Sequence, residues 1–312
     1  MTIADSLATV ARHGRLVLIL GLVAGAALPS VAEAMRPWIG ELVAGLLFLA
    51  ALRVGPRQAM GALSDLRASL LLALSLQVAV PVAAVMLLSL AGWTQTATGV
   101  FVILLLAAAP ISGSPNLAVL CGQDPAPALR QVIVGTALLP LTVVPVFWLM
   151  PVFGEPVAVL RAAAGLLVLI GGAAAIAFAL RATIMTTPSD RTLGVIDGVS
   201  TIALAVVVIG LMSAVGPALR SEPLLLGGSL ALVCAISFAL QAVVFHASRR
   251  LGVGYAAPAF GIVAGCRNIA LFLTVLPPAV VDPILLLIGC YQVPMYLTPY
   301  VMSRIYKRTT VR

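Results

Sequence analysis

Hydrophobic positions in this chain come in long unbroken runs, with polar positions gathered in short stretches between them. Ten runs of about 20 residues, the length of a helix that crosses a hydrocarbon core, fall at 16–35, 38–54, 67–91, 97–122, 130–150, 157–180, 195–215, 223–246, 254–276 and 281–302. The runs do not alternate apolar and polar residues, so they predict spanning helices rather than the strands of a membrane barrel. The stretches between them are too short for an inserted soluble domain. The expectation is an all-α membrane protein forming one unit over 1–312.

Two runs are interrupted in a similar way. Residues 113–120 read Gly-Ser-Pro-Asn-Leu-Ala-Val-Leu and residues 265–272 read Gly-Cys-Arg-Asn-Ile-Ala-Leu-Phe, so Gly113, Asn116 and Ala118 match Gly265, Asn268 and Ala270 at an offset of 152. Leu76-Gln77 matches Leu240-Gln241 at 164, and Pro140 and Pro145 match Pro294 and Pro299 at 154. Three matches in the same order predict a repeat, the first half over about 16–150 and the second over about 157–302. Five spans per half is an odd number, so the halves are inverted in the membrane. Interrupted spans at corresponding places in two halves are the best sequence pointer to a secondary transporter's binding site. A broken helix frees backbone N–H and C=O groups, which is tolerated at membrane depth only where protein, ion or substrate takes them up.

Composition sharpens the class. The chain is 62% hydrophobic and 9% charged, against about a quarter charged in a soluble domain. A net charge of +8 does not indicate a nucleic-acid partner, because the basic residues are scattered through short loops and the C-terminal tail. With the N-terminus inside, every Lys and Arg except Arg36, Arg161, Arg220 and Arg267 falls on the cytoplasmic side. That bias predicts ten crossings of a cytoplasmic (inner) membrane with both termini cytoplasmic. Ala32-Glu33-Ala34 also fits a signal-peptide cleavage pattern, but the pairing of the first span with the sixth argues for keeping it. The carboxylates Asp65, Asp124, Glu155, Asp190, Glu222 and Asp282 are in loops, and Glu41 and Asp197 near span ends. Proton coupling through Glu41 or Asp197 is a weak option. Cys121, Cys234, Cys266 and Cys290 lack metal-ligand spacing and read as small packing residues. No nucleophile triad, carboxylate pair or phosphate loop suggests an enzyme.

The chemistry therefore concentrates at the breaks. Pro110, Ser112, Gly113, Ser114, Pro115 and Asn116 form the first. Each proline removes a backbone donor and costs about 3 kcal/mol inside a regular helix. The second, Gly265-Cys266-Arg267-Asn268, holds the one charge deep within a span, where insertion of an arginine costs roughly 2.5–3.5 kcal/mol. Arg267 reads equally as a fixed cation near the midplane, able to hold an anionic group, and as a plug for freed carbonyls. Gln77 and Gln241, costly in lipid, are expected to face the core between the halves and hydrogen-bond the broken helices, with plain helix packing and ligand contact both open to them.

On these residues, together with Gly21 to Gly25, Pro29 and the Gln77-Val-Ala-Val-Pro81 stretch, the chain resembles the bile acid:sodium symporter family over essentially its whole length. The resemblance implies a panel domain (spans 1, 2, 6 and 7), a core domain (spans 3–5 and 8–10), and spans four and nine unwinding and crossing in the core. It implies an organic-anion substrate moved with two sodium ions, Gln77 and Asn116 at sodium positions and Asn268 at the second crossover. The departures are pointed. The family's acidic residue in span nine corresponds to Val263, its glutamine to Arg267, and the serine before the span-four asparagine to Pro115. A unit charge 4 Å from another costs about 4 kcal/mol even at an effective dielectric of 20, so a sodium pair does not fit beside Arg267. The expectation is transport without sodium as a cofactor ion, Arg267 standing in for it. Sodium symport through carbonyls with Gln77 and Asn116, and a membrane sensor or scaffold that has lost transport, remain as alternatives.

Overall fold

A computed structural model of the chain describes residues 3–61 and 66–307; Asp65, Arg308 and Arg312 lie outside the described residues. Among these residues the regular structure is helical throughout, with a single isolated antiparallel bridge between Pro110 and Arg267. The first half comprises α1 (Ile3–Arg12), α2 (Gly14–Ala27), α3 (Pro29–Met35), α4 (Ile39–Gly61), α5 (Leu66–Leu74), a π-helical turn Ser75–Ala79, α6 (Val80–Leu90), α7 (Ala97–Ala107), α8 (Ser114–Leu120) and α9 (Ala126–Trp148). The second comprises α10 (Pro156–Thr183), α11 (Asp190–Leu211), α12 (Val215–Ser221), α13 (Pro223–Arg250), α14 (Ala257–Gly265), a 3₁₀ stretch Ile269–Thr274, α15 (Pro278–Val281), α16 (Leu285–Val301) and α17 (Ser303–Lys307).

Each predicted run contains helix, but seven spans are long and apolar enough to cross a membrane uninterrupted, or eight if α1 and α2, bent by 80°, count as one. Besides the first run, where α2 alone has 14 residues, the runs that fail on length are the two interrupted ones. Run 97–122 divides into α7 and α8, and run 254–276 into α14 and the 3₁₀ stretch. The chain is therefore a multi-pass membrane protein. Helix α1 was not predicted, because its ten residues carry Asp5 and Arg12 and form no apolar run. It is amphipathic and lies across α11, where Leu7 rests on Gly198; a Cβ there would stand 2.3 Å from the Leu7 carbonyl oxygen. An Arg191–Asp5 ion pair at 3.1 Å ties the same two helices.

Proline sets most of the segment boundaries. Leu28 (φ −118°, ψ 72°) is forced from helical geometry by Pro29 and divides the first run into α2 and α3. Ala32, in the candidate cleavage pattern, is fully buried. Within α4, Gly55 (φ 72°, ψ 164°) precedes Pro56 and kinks the helix in a left-handed conformation open to glycine. Helix α4 packs along α10 and α11, and α2 along α11, while α13 packs along α14 and α16 and α9 meets α5 and α14. One large apolar core runs through α7, α9, α14 and α16 and includes Ala108, Ala109 and Cys266 of the two breaks.

Candidate functional site

The first break begins where α7 ends. Ala108 turns extended (φ −64°, ψ 152°), and Ala109 is held out of the helical region by Pro110. Pro115 does not sit in a helix interior, as the run would suggest, but in the first turn of α8, where a missing N–H costs nothing. The second break falls at Cys266 (φ −113°, ψ 90°) after Gly265 closes α14. The breaks lie antiparallel. Ile111 donates its backbone N–H to the Cys266 carbonyl at 3.0 Å, and Asn268 donates to the Ala109 carbonyl at 2.7 Å. These bonds flank the Pro110–Arg267 pair, making it a non-hydrogen-bonded pair. Proline fits this position because the ladder asks it for no donor. The Arg267 N–H, equally unused by the ladder, donates to the Tyr291 hydroxyl at 2.8 Å.

Arg267 is 2% exposed, and its guanidinium reaches three carbonyls. Nε donates to Ala264 at 2.9 Å, Nη1 to Ala108 at 2.9 Å and Nη2 to Leu76 at 3.2 Å. Each acceptor is freed by a separate feature of the sequence. The N–H that would continue α14 onto the Ala264 carbonyl belongs to Asn268, which is committed across the break. The Ala108 carbonyl is freed where α7 unwinds. In the π turn, Val80 donates to Ser75, five residues back, so the partner of the Leu76 carbonyl in that register is residue 81, and Pro81 has no N–H. One cation thus satisfies three orphaned oxygens from three elements.

Around it the second break is braced by hydroxyls. The Gly265 carbonyl accepts from Tyr291 Oη at 2.5 Å and Ser237 Oγ at 2.8 Å. Gln241 donates to Thr298 Oγ1 at 3.0 Å and accepts from Tyr306 Oη at 3.1 Å. Cys266 is fully buried, its Sγ 3.5 Å from Thr298 Oγ1. Gln77 is held in a similar way. It donates to the Gly135 carbonyl at 3.1 Å and accepts from Thr142 Oγ1 at 3.0 Å. Gly135 is required there, since a Cβ would lie 2.8 Å from Gln77 Nε2 and 2.9 Å from Pro110 Cδ. Both glutamines are thus buried and held by a threonine on the proline-bearing helix that follows.

The remaining predicted residues present free polar groups. Ser112 and Asn116 are exposed and Asn268 is half-buried; among the described residues none has a side-chain hydrogen bond. Ser114 Oγ is buried with no partner. The motif-based alignment of the halves does not carry through to geometry. Gly113 precedes α8 as its N-cap, whereas Gly265 closes α14, and Asn116 lies within α8 while Asn268 lies in a break. Of the carboxylates considered for proton coupling, Asp197 accepts from Arg53 Nε at 2.9 Å, and Glu41 is exposed in the first turn of α4. Gly135, Thr142, Ser237, Tyr291, Thr298 and Tyr306 were not singled out from sequence, although a hydroxyl inside an apolar, proline-bearing run is a usable signal for Thr142, Tyr291 and Thr298.

Tyr291 offers a direct test of the bracing. Tyr291→Phe leaves the buried Arg267 N–H unpaired, and the expected loss is about 2 kcal/mol, read as a lower thermal unfolding temperature.

A scan against protein-family models finds no match to this chain, and no curated protein matches it significantly.

Proposed function

We propose that this membrane protein is a secondary transporter of organic anions working by alternating access, with Arg267 occupying the place of a coupling cation. The observation that carries this reading is the guanidinium held by the Ala264, Ala108 and Leu76 carbonyls. Unwound carbonyls of broken helices are the groups that coordinate sodium in transporters, and here a covalently attached cation takes them. Gln77 has both ends of its amide engaged, which weighs against the sodium role its position suggests. Since Arg267 is buried and its nitrogens face carbonyls, its part in this reading is to supply positive charge. Direct contact with substrate falls to the donors of Ser112, Ser114, Asn116 and Asn268, which suit carboxylate or sulfate oxygens.

The same reading takes the chain as ten crossings of the cytoplasmic membrane, both termini inside, in a five-plus-five inverted repeat whose fourth and ninth spans are broken. Supporting it are the breaks in corresponding runs and the two threonine-held glutamines. The packing of α2, α4, α10 and α11 on one another, and of α5, α9, α13, α14 and α16 among themselves, supports a panel that rocks against a core. The resemblance to the bile acid:sodium symporter family belongs to this proposal.

Two measurements test it. Reconstituted protein is expected to catalyse sodium-free counterflow of a labelled organic anion from a panel of carboxylates, sulfates and sulfonates. Thermal unfolding is expected to be the same in sodium and potassium at matched ionic strength, because a ligand that binds only the folded state raises its stability. A sodium-specific rise would replace the built-in cation by ordinary symport. Counterflow of no panel member would favour a sensor or scaffold.

A further inference from the structure

A second arginine stands apart from the crossover. Arg181 lies in the last turn of α10, and its Nε and Nη1 are buried without any hydrogen-bond partner. Its guanidinium rests on the kink in α4: a Cβ added at Gly55 would lie 2.7 Å from Nε and from Nη2 and 3.1 Å from Cζ. Beneath the kink is a small apolar cluster of Leu52, Ala177 and Ile196. The nearby carboxylate Asp197 is taken by Arg53. Arg181 therefore has a charge partly withdrawn from water and, among the described residues, no counter-charge. Burying a cation without a partner is among the costlier arrangements a protein can hold, and the glycine kink leaves the space for it. Arg57, exposed two residues after Gly55, adds positive charge to the rim.

The depth of the site indicates what completes it. Helix α10 has 28 residues, about 42 Å at 1.5 Å per residue, and the hydrocarbon core is about 30 Å thick. Its last turn thus reaches headgroup level. Basic pockets between helices at this level are suited to anionic headgroups, and a guanidinium with unused N–H groups matches phosphate oxygens in charge and geometry. We propose that Arg181, seated on the Gly55–Pro56 kink, anchors a phosphate-binding site whose occupant is the headgroup of an anionic phospholipid. The site is independent of the proposed transport chemistry.

The test uses the purified full chain in neutral detergent, with phosphatidylglycerol or phosphatidylcholine added, and separately with inorganic phosphate against chloride at matched ionic strength. Phosphatidylglycerol is expected to raise the unfolding temperature by roughly 3 °C over phosphatidylcholine and to remain bound in native mass spectrometry. Arg181→Gln is expected to lose both effects, and Arg220→Gln, an exposed arginine on α12, to keep both. Arg181→Met, which retains the apolar stem, serves if the glutamine variant folds poorly. An Arg181-dependent rise with inorganic phosphate would support the anion site and assign it to a dissolved anion. If the variants lacking Arg181 respond to phosphatidylglycerol as the unaltered protein does, or if neither phosphate source stabilises the unaltered protein, the proposal is overturned.

Discussion

Arg267→Gln is expected to lower the unfolding temperature of the purified protein by roughly 10 °C in potassium, and sodium is expected to restore part of the loss. The first effect follows from the acceptors left behind. The amide cannot reach the Ala264, Ala108 and Leu76 carbonyls together, and each buried acceptor left without a donor costs about 1–3 kcal/mol. For a chain of this size each kcal/mol corresponds to a few degrees. Loss of the buried charge recovers some desolvation, so the lower part of the range applies if water enters. The second effect follows from the carbonyl cluster: three oxygens without their cation, joined by the new amide oxygen, form an oxygen-lined cation site. Unfolding curves of the variant in sodium and potassium, with anion counterflow under the same conditions, read both effects. Unaltered folding and transport would end the view of Arg267 as a built-in cation. Destabilisation without a sodium response would leave it as a plug for the orphaned carbonyls alone.

The second large effect is expected at a glycine. At Gly265 an added Cβ would lie 2.3 Å from Gln241 Cγ and 2.4 Å from the Ser237 carbonyl oxygen. Neither neighbour can yield: one is helix backbone, and the other is the stem of a side chain held by Tyr306 and Thr298. Overpacking usually costs about 1–3 kcal/mol, and with backbone as the obstacle the upper end or beyond is expected for Gly265→Ala, with displacement of the Gly265–Asn268 segment and loss of anion counterflow. Gly113→Ala is the control. Its nearest neighbour is Ile111 Cδ1 at 3.8 Å, and its backbone is ordinary (φ −77°, ψ −5°), so a change within about 0.5 kcal/mol is expected. Equal losses at the two positions would show that the glycines act through chain flexibility and not through packing.

This contrast marks the limit of what a repeated motif conveys. Gly113 and Gly265 are equivalent as letters, yet one opens a helix with room around it and the other closes a helix against a neighbouring backbone. Each break is visible locally, because proline removes donors and glycine and asparagine weaken helices wherever they stand. The all-helical membrane character is equally legible, since the length of an apolar run and the scarcity of charge depend on no distant residue. The cost of burying Arg267 was also evident from the chain, and with it the need for partners.

Which partners it would find was decided only by the tertiary structure. The Ala108 and Leu76 carbonyls lie 159 and 191 residues away in sequence. A backbone oxygen carries no sequence signature, and its availability depends on whether a π turn, a proline or an unwound segment has removed its donor. The antiparallel seating of Pro110 against Arg267, the Tyr291 hydroxyl between two backbone groups, and the Arg181 guanidinium on the Gly55 kink arise in the same way. The sequence by itself determined where the apolar, helix-length runs lie and where its helices break, because those are properties of local solvation and backbone conformation. The tertiary structure alone decided which freed group meets which donor, because that requires distant segments to be brought within hydrogen-bonding distance.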